Sequence, residues 1–302
     1  MAPETPARLH ADELEIDADL VRRLLAEQLP QLAGLPVRPL SQRGTVNAMF
    51  RLGDDLAVRL PRTSASAGDL ERERVWLPRL RDRVSLHIPE PIAHGRPSDA
   101  FPLPWSVHRW LVGDPYDDLL VDDERQAADD LARFVGELRS GPVDHAPATG
   151  RRPLRELDVA TRSAIADAAG LLDAGAATAA WDRALEAPPF SGGTTWIHTD
   201  LLRPNLLVRS GRLVAVIDFG NVGAGDPAAD VIMGWTVFGP AGRRRFREVL
   251  DVDDGTWERA RGYALTQAAL IVPYYRETHP SFTASALRTI RQVLDDVTSA
   301  PV

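Results

Sequence analysis

The stretch Thr195–Asp230, TWIHTDLLRPNLLVRSGRLVAVIDFGNVGAGDPAAD, contains two apolar runs on either side of a short polar connection. The runs are Leu206–Val208 and Leu213–Ile217, and the four-residue connection Arg209–Arg212 contains one glycine. Apolar runs joined by a short segment with glycine are typical of two antiparallel strands and their turn. The stretch therefore predicts a β-hairpin.

Polar side chains lie at one end of this predicted hairpin. If Val208 faces Leu213, antiparallel pairing brings Asn205 and Asp218 to the same end, and Asp200 lies on the segment that leads into it. Two carboxylates and one amide at the end of an apolar hairpin favour binding of a divalent metal and phosphate. The alternative is an aspartate-capped turn in an ordinary hairpin.

The same spacing resembles a known pattern. Asp200, Asn205 five residues later, and Asp218-Phe219-Gly220 are similar to the catalytic loop and metal-binding segment of the protein-kinase-like fold. The segment His198-Thr199-Asp200-Leu201 resembles the His-Gly-Asp-Leu of the aminoglycoside phosphotransferase family, with a threonine where that family usually has glycine.

A downstream motif supports the same resemblance. Gly225-Asp226-Pro227, followed by Asp230, is similar to that family and differs from the Ala-Pro-Glu of protein kinases. The resemblance implies an α+β, protein-kinase-like bilobal fold, with an N-terminal lobe built on an antiparallel sheet and a mainly helical C-terminal lobe. We expect residues 1–110 to form the nucleotide-binding lobe, with the hinge at its end, and residues 111–302 to form the catalytic and acceptor-binding lobe.

The resemblance also implies roles for the three polar side chains. Asp200 would be the catalytic residue that accepts the proton of, or orients, the acceptor hydroxyl. Asn205 and Asp218 would hold Mg²⁺, which takes few protein oxygen ligands and shares substrate phosphates. ATP or GTP would be the phosphoryl donor.

Three short strands are predicted in the N-terminal part, at Val37–Leu40, Ala48–Leu52 and Leu56–Leu60. The connection between the first two carries a single glycine among polar residues, which alone is weak evidence for a phosphate-binding loop. In a kinase-like lobe this connection lies over the nucleotide phosphates, and its backbone N–H groups could cradle them. The side chains that could assist are those of Ser41, Thr45 and Asn47.

Arg59 occupies the position where kinases carry a lysine that holds the α- and β-phosphates. The chain has no lysine, so all 35 basic residues are arginine, and arginine supplies a permanent cation with a different reach. The resemblance assigns Glu73 as its carboxylate partner and leaves Glu71 as an exposed neighbour. The alternative is that Arg59 is a solvated strand residue.

The segment Val107–Gly113 resembles the hinge of the family, where backbone groups face the adenine edge. His108 and Trp110 are accordingly predicted to border the nucleotide. The alternative is a strand followed by a turn. Immediately afterwards, Asp114, Asp117 and Asp118 form an acidic patch that could border the pocket of a cationic acceptor, although a solvated acidic surface is the commoner outcome.

The C-terminal part is predicted to be mainly helical. Its apolar periodicity predicts helices at 154–174, 178–186, 228–237, 242–250, 256–274 and 284–298, after a first one that ends near residue 138.

Four polar residues of the central stretch lack an assigned chemical role. We expect His198, which closes an apolar strand, to make structural hydrogen bonds rather than to act as a base. Asp226 and Asp230 are expected to serve as a cap and a brace for the loop. Arg203 could either reach a phosphate or face solvent.

Composition narrows the choice of partners. The net charge of −8 disfavours nucleic acid and favours a cationic small substrate. There is no cysteine, no apolar run long enough to span a bilayer, and no basic-then-apolar signal pattern at the N-terminus. We therefore expect a cytoplasmic protein that does not insert into membranes.

These observations favour an ATP- or GTP-dependent O-phosphotransferase that acts on a small hydroxylated, cationic antibiotic of the aminoglycoside kind. A small-metabolite kinase of the choline, homoserine or sugar type is the first alternative, because a fold does not fix the acceptor. A nucleotide-binding module without catalysis is the second. The presence of Asp200, Asn205 and Asp218 together argues against an inactive module.

Overall fold

The computed structural model describes residues 14–40 and 47–299. The chain divides into two compact units. The N-terminal unit extends to Asp82 and also includes Ile88–Val112, while the C-terminal unit consists of Arg83–His87 and the chain from Gly113 onward. The sequence had placed the boundary at Trp110. The roles that it assigned to the two parts stay predictions.

An antiparallel five-stranded sheet forms the centre of the N-terminal unit. Its strands follow the order β1-β2-β3-β5-β4, so that β3 lies in the middle. The strands are β1 (Val37–Pro39), β2 (Asn47–Leu52), β3 (Leu56–Pro61), β4 (Pro91–Gly95) and β5 (Trp105–Arg109). All the strands that the sequence predicted here are present, within two residues at each end.

Two helices belong to this unit, α1 (Ala18–Gln28) and α2 (Ala67–Leu80). Helix α1 begins where Asp17 accepts a hydrogen bond from the backbone of Leu20, as a good N-cap does. Its apolar stripe packs with the sheet in a core that includes Leu24, Phe50, Val58 and Trp105.

The C-terminal unit is mainly helical, as predicted. Its helices are α3 (Glu124–Arg139), α4 (Asp158–Asp167), α5 (Ala174–Leu185), α6 (Ala228–Val231), α7 (Met233–Thr236), α8 (Pro240–Leu250), α9 (Asp254–Tyr275) and α10 (Pro280–Ser299). Two predictions were wrong. The helix predicted over 154–174 ends at Asp167, and the one predicted over 228–237 is broken into α6 and α7. None of the helices among the described residues is both long and apolar enough to cross a membrane.

The predicted hairpin is present as β8 (Leu206–Arg209) and β9 (Arg212–Val216). Val208 does pair with Leu213, but the connection is the two-residue turn Ser210-Gly211 rather than four residues. Both turn residues have positive φ, 49° and 76°, which is the conformation that matches the right-handed twist of paired strands. A short strand, β6 (Asp114–Pro115), adds to β8.

A second, two-stranded sheet contains the strand that precedes the segment with Asp200. It pairs β7 (Thr195–Ile197) with β10 (Gly223–Gly225). A Cβ atom at Gly223 or Gly225 would lie 2.3 Å from a backbone carbonyl oxygen of the segment 147–149, so both positions need glycine for this close approach. The segment 198–205 therefore runs from β7 to β8, and the segment 217–222 runs from β9 to β10. Both segments have their ends held in these two sheets.

Candidate active site

The open end of the hairpin brings Asn205 and Asp218 together, as the sequence predicted. Leu206 pairs with Val216, and the backbone N–H of Ile217 donates to the Asn205 carbonyl at 2.9 Å. The chain at Asp218 then adopts φ of 67°, a left-handed conformation that aspartate tolerates better than most residues. Asn205 therefore belongs to this bonded pair and Asp218 directly follows it, so that both residues lie at the same end of the hairpin.

The Asn205 side chain connects this end of the hairpin to Asp200. Its amide nitrogen donates to the Asp200 backbone carbonyl and to the Asp200 carboxylate oxygen Oδ2, each at 2.9 Å. Because the nitrogen is committed to Asp200, the amide oxygen is left to accept from, or coordinate, another group. The structure therefore gathers Asp200, Asn205 and Asp218, the three residues singled out by spacing.

Burial is the main cause of a raised pKa at Asp200. The Asp218 carboxylate contributes in the same direction, because two negative charges repel each other. His198, Arg151 and the hydrogen bond from Asn205 act in the opposite direction. A carboxylate shifted toward neutrality is a better proton acceptor than an ordinary aspartate, which suits a general base.

His198 makes structural hydrogen bonds, as predicted. Its Nε2 lies 3.1 Å from the Ile217 carbonyl, and its Nδ1 accepts from the Asp200 backbone N–H at 3.2 Å. These contacts assign the proton to Nε2. The ring is fully buried and packs edge-on against Phe219, with 4.5 Å between ring centroids. His198 therefore connects the backbone at Asp200 with the backbone at Ile217, the residue directly before Asp218.

Asp230 braces the loop, also as predicted. Its fully buried carboxylate accepts from the backbone N–H groups of His198 at 2.8 Å and Thr199 at 2.7 Å. Asp226 caps α6 through the Ala228 N–H at 2.9 Å. It also forms a two-point ion pair with Arg259, at 2.9 and 3.0 Å.

Thr199 occupies the left-handed region, with φ of 75°. A β-branched residue is a genuine outlier there, at a cost of about 1–3 kcal/mol that the surrounding contacts must offset. The threonine that departs from the family pattern is therefore a strained residue directly before Asp200.

Arg151 is a contributor to the site that the sequence did not predict. It lies in the loop between α3 and α4, and its Nη2 donates to the Thr199 carbonyl at 3.2 Å. The sequence of this loop, residues 140–152, is rich in proline and glycine, which predicts a loop but none of its contacts. No local pattern connects it to a loop 48 residues away, so only tertiary structure identifies the contact.

Arg203 does not face solvent, one of the two alternatives for it, because its side chain is only 19% exposed; contact with a phosphate stays a prediction. Its guanidinium donates to the Val237 carbonyl from Nε at 3.1 Å and from Nη2 at 2.6 Å, and Nη2 also pairs with Asp118 at 2.6 Å. Asp117 accepts from the Leu119 N–H in a local turn. Two of the three residues of the predicted acidic patch therefore have structural contacts.

In the N-terminal unit, Arg59 and Glu73 form the predicted pair. The Arg59 Nη1 lies 2.7 and 2.6 Å from the two carboxylate oxygens of Glu73, and both side chains are buried. With its amide oxygen turned toward Arg59, Asn47 accepts from Nη2 at 2.9 Å and from Nε at 3.0 Å. Glu71 is exposed and pairs with Arg74 instead. Asn47 thus orients the guanidinium, and Arg59 is not a solvated strand residue.

The remaining predicted nucleotide residues are placed as follows. Ser41 and Thr45 lie outside the described residues. His108 lies within β5, between Ala57 of β3 and Pro91 of β4, and its Nε2 is 2.8 Å from the Ser106 hydroxyl. Trp110 follows the strand, and its ring carries the Arg51 guanidinium 4.2 Å from the centroid. Nucleotide contacts at these positions stay predictions.

The burial of His108 has a consequence for stability. Loss of solvent lowers the pKa of His108 to about 3, with Arg59 and His94 adding to the effect. The folded protein therefore keeps this ring neutral below pH 6.5, where the unfolded chain becomes protonated. Linkage then lowers the free energy of unfolding by about 1.4 kcal/mol for each pH unit below 6.5, or about 2 kcal/mol by pH 5.

We expect His108→Gln to remove this pH dependence. Relative to wild type, the variant should gain about 2 kcal/mol between pH 7 and pH 5, measured by urea unfolding at the two pH values. His145→Gln, at an exposed position, controls for the substitution itself. Parallel losses in the wild type and in the His108 variant would show that the ring is not kept neutral.

The donors at the open end of the hairpin fit Mg²⁺. The Asn205 amide oxygen and the Asp218 carboxylate are hard oxygen ligands, which Mg²⁺ prefers. Across residues 14–40 and 47–299 there is no group of three or more His, Cys, Asp or Glu side chains that could hold a metal ion. Two protein donors suit an ion that keeps water ligands and shares substrate phosphates.

The fold and the site together define a kinase-like arrangement, with a sheet and a buried cation–carboxylate pair in one unit and an Asp–Asn–Asp hairpin in the other. The sequence profile of the phosphotransferase enzyme family (APH) matches residues 36–263. Because this match covers most of the chain, the protein belongs to that family. It is a phosphotransferase of the kind that uses an alcohol group as acceptor.

Three known proteins illustrate the similarity. YcbJ of Bacillus subtilis, an uncharacterized protein, is 26% identical over 261 residues, which cover 76% of this chain and 81% of YcbJ. A mutant aminoglycoside 2'-phosphotransferase-IIIa in complex with GDP is 21% identical and superimposes with a TM-score of 0.72, covering 94% of this chain and 99% of that one. The macrolide 2'-phosphotransferase MphH from Brachybacterium faecium is 18% identical, with a TM-score of 0.58 and coverage of 90% and 97%. At these identities the structural matches establish the fold.

Proposed function

We propose that this protein transfers the γ-phosphoryl group of ATP or GTP to a hydroxyl of a small molecule, with Asp200 as the catalytic base. The observation that supports this most directly is the arrangement at the open end of the hairpin. There the Asn205 amide binds the Asp200 carboxylate at 2.9 Å, and the Asp218 charge is near enough to raise the pKa of Asp200. An ordinary capped turn would not gather two like charges.

In the proposed reaction, the acceptor oxygen bonds to the γ-phosphorus while the bond to the β–γ bridging oxygen breaks. A nucleoside diphosphate leaves, and the hydroxyl proton passes to the Asp200 carboxylate. Asn205 keeps that carboxylate in place through its amide nitrogen and offers its oxygen, with Asp218, to the metal. Mg²⁺, when bound, neutralises negative charge on the phosphates of the nucleotide.

The N-terminal unit is proposed to contact the nucleotide. Arg59 supplies the cation for the α- and β-phosphates, held in one orientation by Glu73 and Asn47. A guanidinium has five N–H groups, so it can donate to protein oxygens and to a phosphate oxygen at the same time. Ser41 and Thr45 are proposed to lie near the phosphates, and His108 and Trp110 near the base.

For the acceptor we propose a hydroxylated, cationic antibiotic of the aminoglycoside kind. Solved structures with this fold include complexes of such enzymes with kanamycin and with gentamicin, and also macrolide 2'-phosphotransferases. The net charge of −8 supports a cationic acceptor. ATP and GTP are cytoplasmic metabolites, and we place the reaction in the cytoplasm for that reason.

A labelling screen tests the proposal. The protein is incubated with Mg²⁺ and γ-labelled ATP or GTP against kanamycin, gentamicin, streptomycin, a macrolide, choline, homoserine and simple sugars. Label transferred to an aminoglycoside supports the proposal. Label found only on choline, homoserine or a sugar identifies a metabolite kinase. Nucleotide binding, seen as a thermal shift with Mg²⁺·ATP but not with Mg²⁺ alone, together with no label on any compound, identifies a module without catalysis.

A further inference from the structure

The Arg151 side chain is partly buried, and it has no carboxylate partner among the described residues. Among the described residues, no carboxylate lies within ion-pair distance of it, and its Nε is a buried donor with no hydrogen-bond acceptor. Its two hydrogen bonds come from Nη2, to the Thr199 carbonyl at 3.2 Å and to Gln267 Oε1 on α9 at 3.0 Å. A partly buried cation with an unsatisfied buried N–H and no paired carboxylate is costly and needs a reason.

Charge provides one part of that reason. The negative groups that act electrostatically on Arg151 are led by Asp200, followed by Asp230. The interaction is reciprocal, because Arg151 opposes the rise in the pKa of Asp200. The aromatic ring of Tyr263 also lies near Arg151, with its centroid 5.9 Å from the guanidinium carbon, and like Gln267 it belongs to α9. The cation is therefore held near the catalytic loop rather than at a surface ion pair.

Geometry provides the other part. The Thr199 carbonyl that Arg151 binds belongs to the peptide group that joins Thr199 to Asp200. The N–H of that same peptide donates to His198 Nδ1 at 3.2 Å, and the Thr199 N–H is held by Asp230 at 2.7 Å. Arg151 thus completes a set of contacts that fixes the backbone on both sides of a residue with φ of 75°.

We propose that Arg151 is a positioning residue, which holds Thr199 in its left-handed conformation through the carbonyl and so aims the Asp200 carboxylate. The catalytic part of this inference rests on the proposed function. Threonine disfavours the left-handed region by about tenfold relative to its right-handed conformations, whereas glycine has no such preference. Loss of the Arg151 contact therefore matters when residue 199 is threonine and matters much less when it is glycine.

A purely structural role for Arg151 gives a different expectation. If the guanidinium only fills space between the loop and α9, removing it harms the protein equally whichever residue occupies position 199. The two roles are therefore separated by combining Arg151→Met with Thr199→Gly, since coupling between the changes appears only if the arginine acts through the threonine.

Hydrogen exchange of the loop amides gives a readout that does not depend on activity. In the full-length protein, Arg151→Met should raise exchange in a peptide covering residues 198–205 by about tenfold, and by less than about threefold when Thr199→Gly is also present. Arg243→Met removes a different arginine, which is buried and pairs with Asp296 at 3.2 Å, and should leave this peptide unchanged. Equal increases in both Thr199 backgrounds, or no increase, would overturn the inference.

Turnover is measured as release of inorganic phosphate from Mg²⁺·ATP and Mg²⁺·GTP, with water as acceptor. Arg151→Met should lower kcat about tenfold with KM for the nucleotide within about twofold, and Arg151→Lys, which keeps a cationic donor, should recover part of the loss. If Arg151→Met fails to fold, Arg151→Lys is compared in the same two Thr199 backgrounds. Turnover that is insensitive to Asp200→Asn would reject the proposed function, while the exchange result would still decide whether Arg151 positions the loop.

Discussion

Replacing Asp200 with asparagine is expected to lower kcat for phosphoryl transfer at least about 100-fold, the usual contribution of a positioned general base. The substitution keeps the shape of the side chain and an oxygen that can accept from Asn205, but it removes the site for the acceptor proton. Nucleotide affinity should change by less than about threefold, because Asp200 is proposed to face the acceptor hydroxyl and not the phosphates.

The measurement is the initial rate of label transfer at saturating Mg²⁺·nucleotide, using the acceptor found in the screen, with affinity followed by thermal shift. Asp254→Asn is the matched control, because the Asp254 side chain is 95% exposed and pairs with Arg247 at the surface. A variant of Asp200 that retains more than about a tenth of the wild-type rate would remove it from the role of base. The hairpin residues would then have to act by metal binding alone.

The sequence predicted the hairpin β8–β9 because the relevant information is local. Two apolar runs with a glycine between them predict two paired strands, and if Val208 pairs with Leu213, as it does in the structure, Asn205 and Asp218 share an end. The pair of Arg59 with Glu73 was predicted from the resemblance to the kinase-like family and not from the local pattern, which left Glu71 as a second candidate. The length of the turn could not be predicted, because Arg209 and Arg212 are equally compatible with a turn and with strand ends.

Other features could not be predicted because they depend on contacts between distant segments. Arg151 contacts Thr199 although α4 and α5 separate the two along the chain, and Asn47 contacts Arg59 because β2 pairs with β3. The early end of α4, in contrast, could have been predicted, because the sequence contains signals for the end of one helix and the start of the next. Gly170 follows the helix, and the Asp173 carboxylate accepts from the Ala176 N–H as the cap of α5. The continuous alanine-rich composition obscured these stop and start signals.

The other large effect is expected at Glu73. Its side chain is 1% exposed and that of Arg59 is 9% exposed, so Glu73→Ala removes a carboxylate that binds a buried guanidinium directly. Breaking a buried pair in this way costs about 3–5 kcal/mol of the free energy of unfolding, measured by urea unfolding. Glu71→Ala is the matched control on the same helix, because the exposed pair of Glu71 with Arg74 should leave the unfolding midpoint unchanged.

Replacing both partners with apolar residues of similar size separates stability from function. Arg59→Met combined with Glu73→Leu removes both charges of this pair, and such replacements are often close to neutral for stability. Asn47 still loses two hydrogen-bond donors, which costs about 1–3 kcal/mol, so recovery should be incomplete. Nucleotide affinity should nevertheless fall at least about tenfold, because the proposed phosphate contact is a charge-assisted hydrogen bond. A double variant that is stable and binds Mg²⁺·ATP as tightly as wild type would show that Arg59 has not taken over the role of the lysine that this chain lacks, and that its buried pair serves the fold alone.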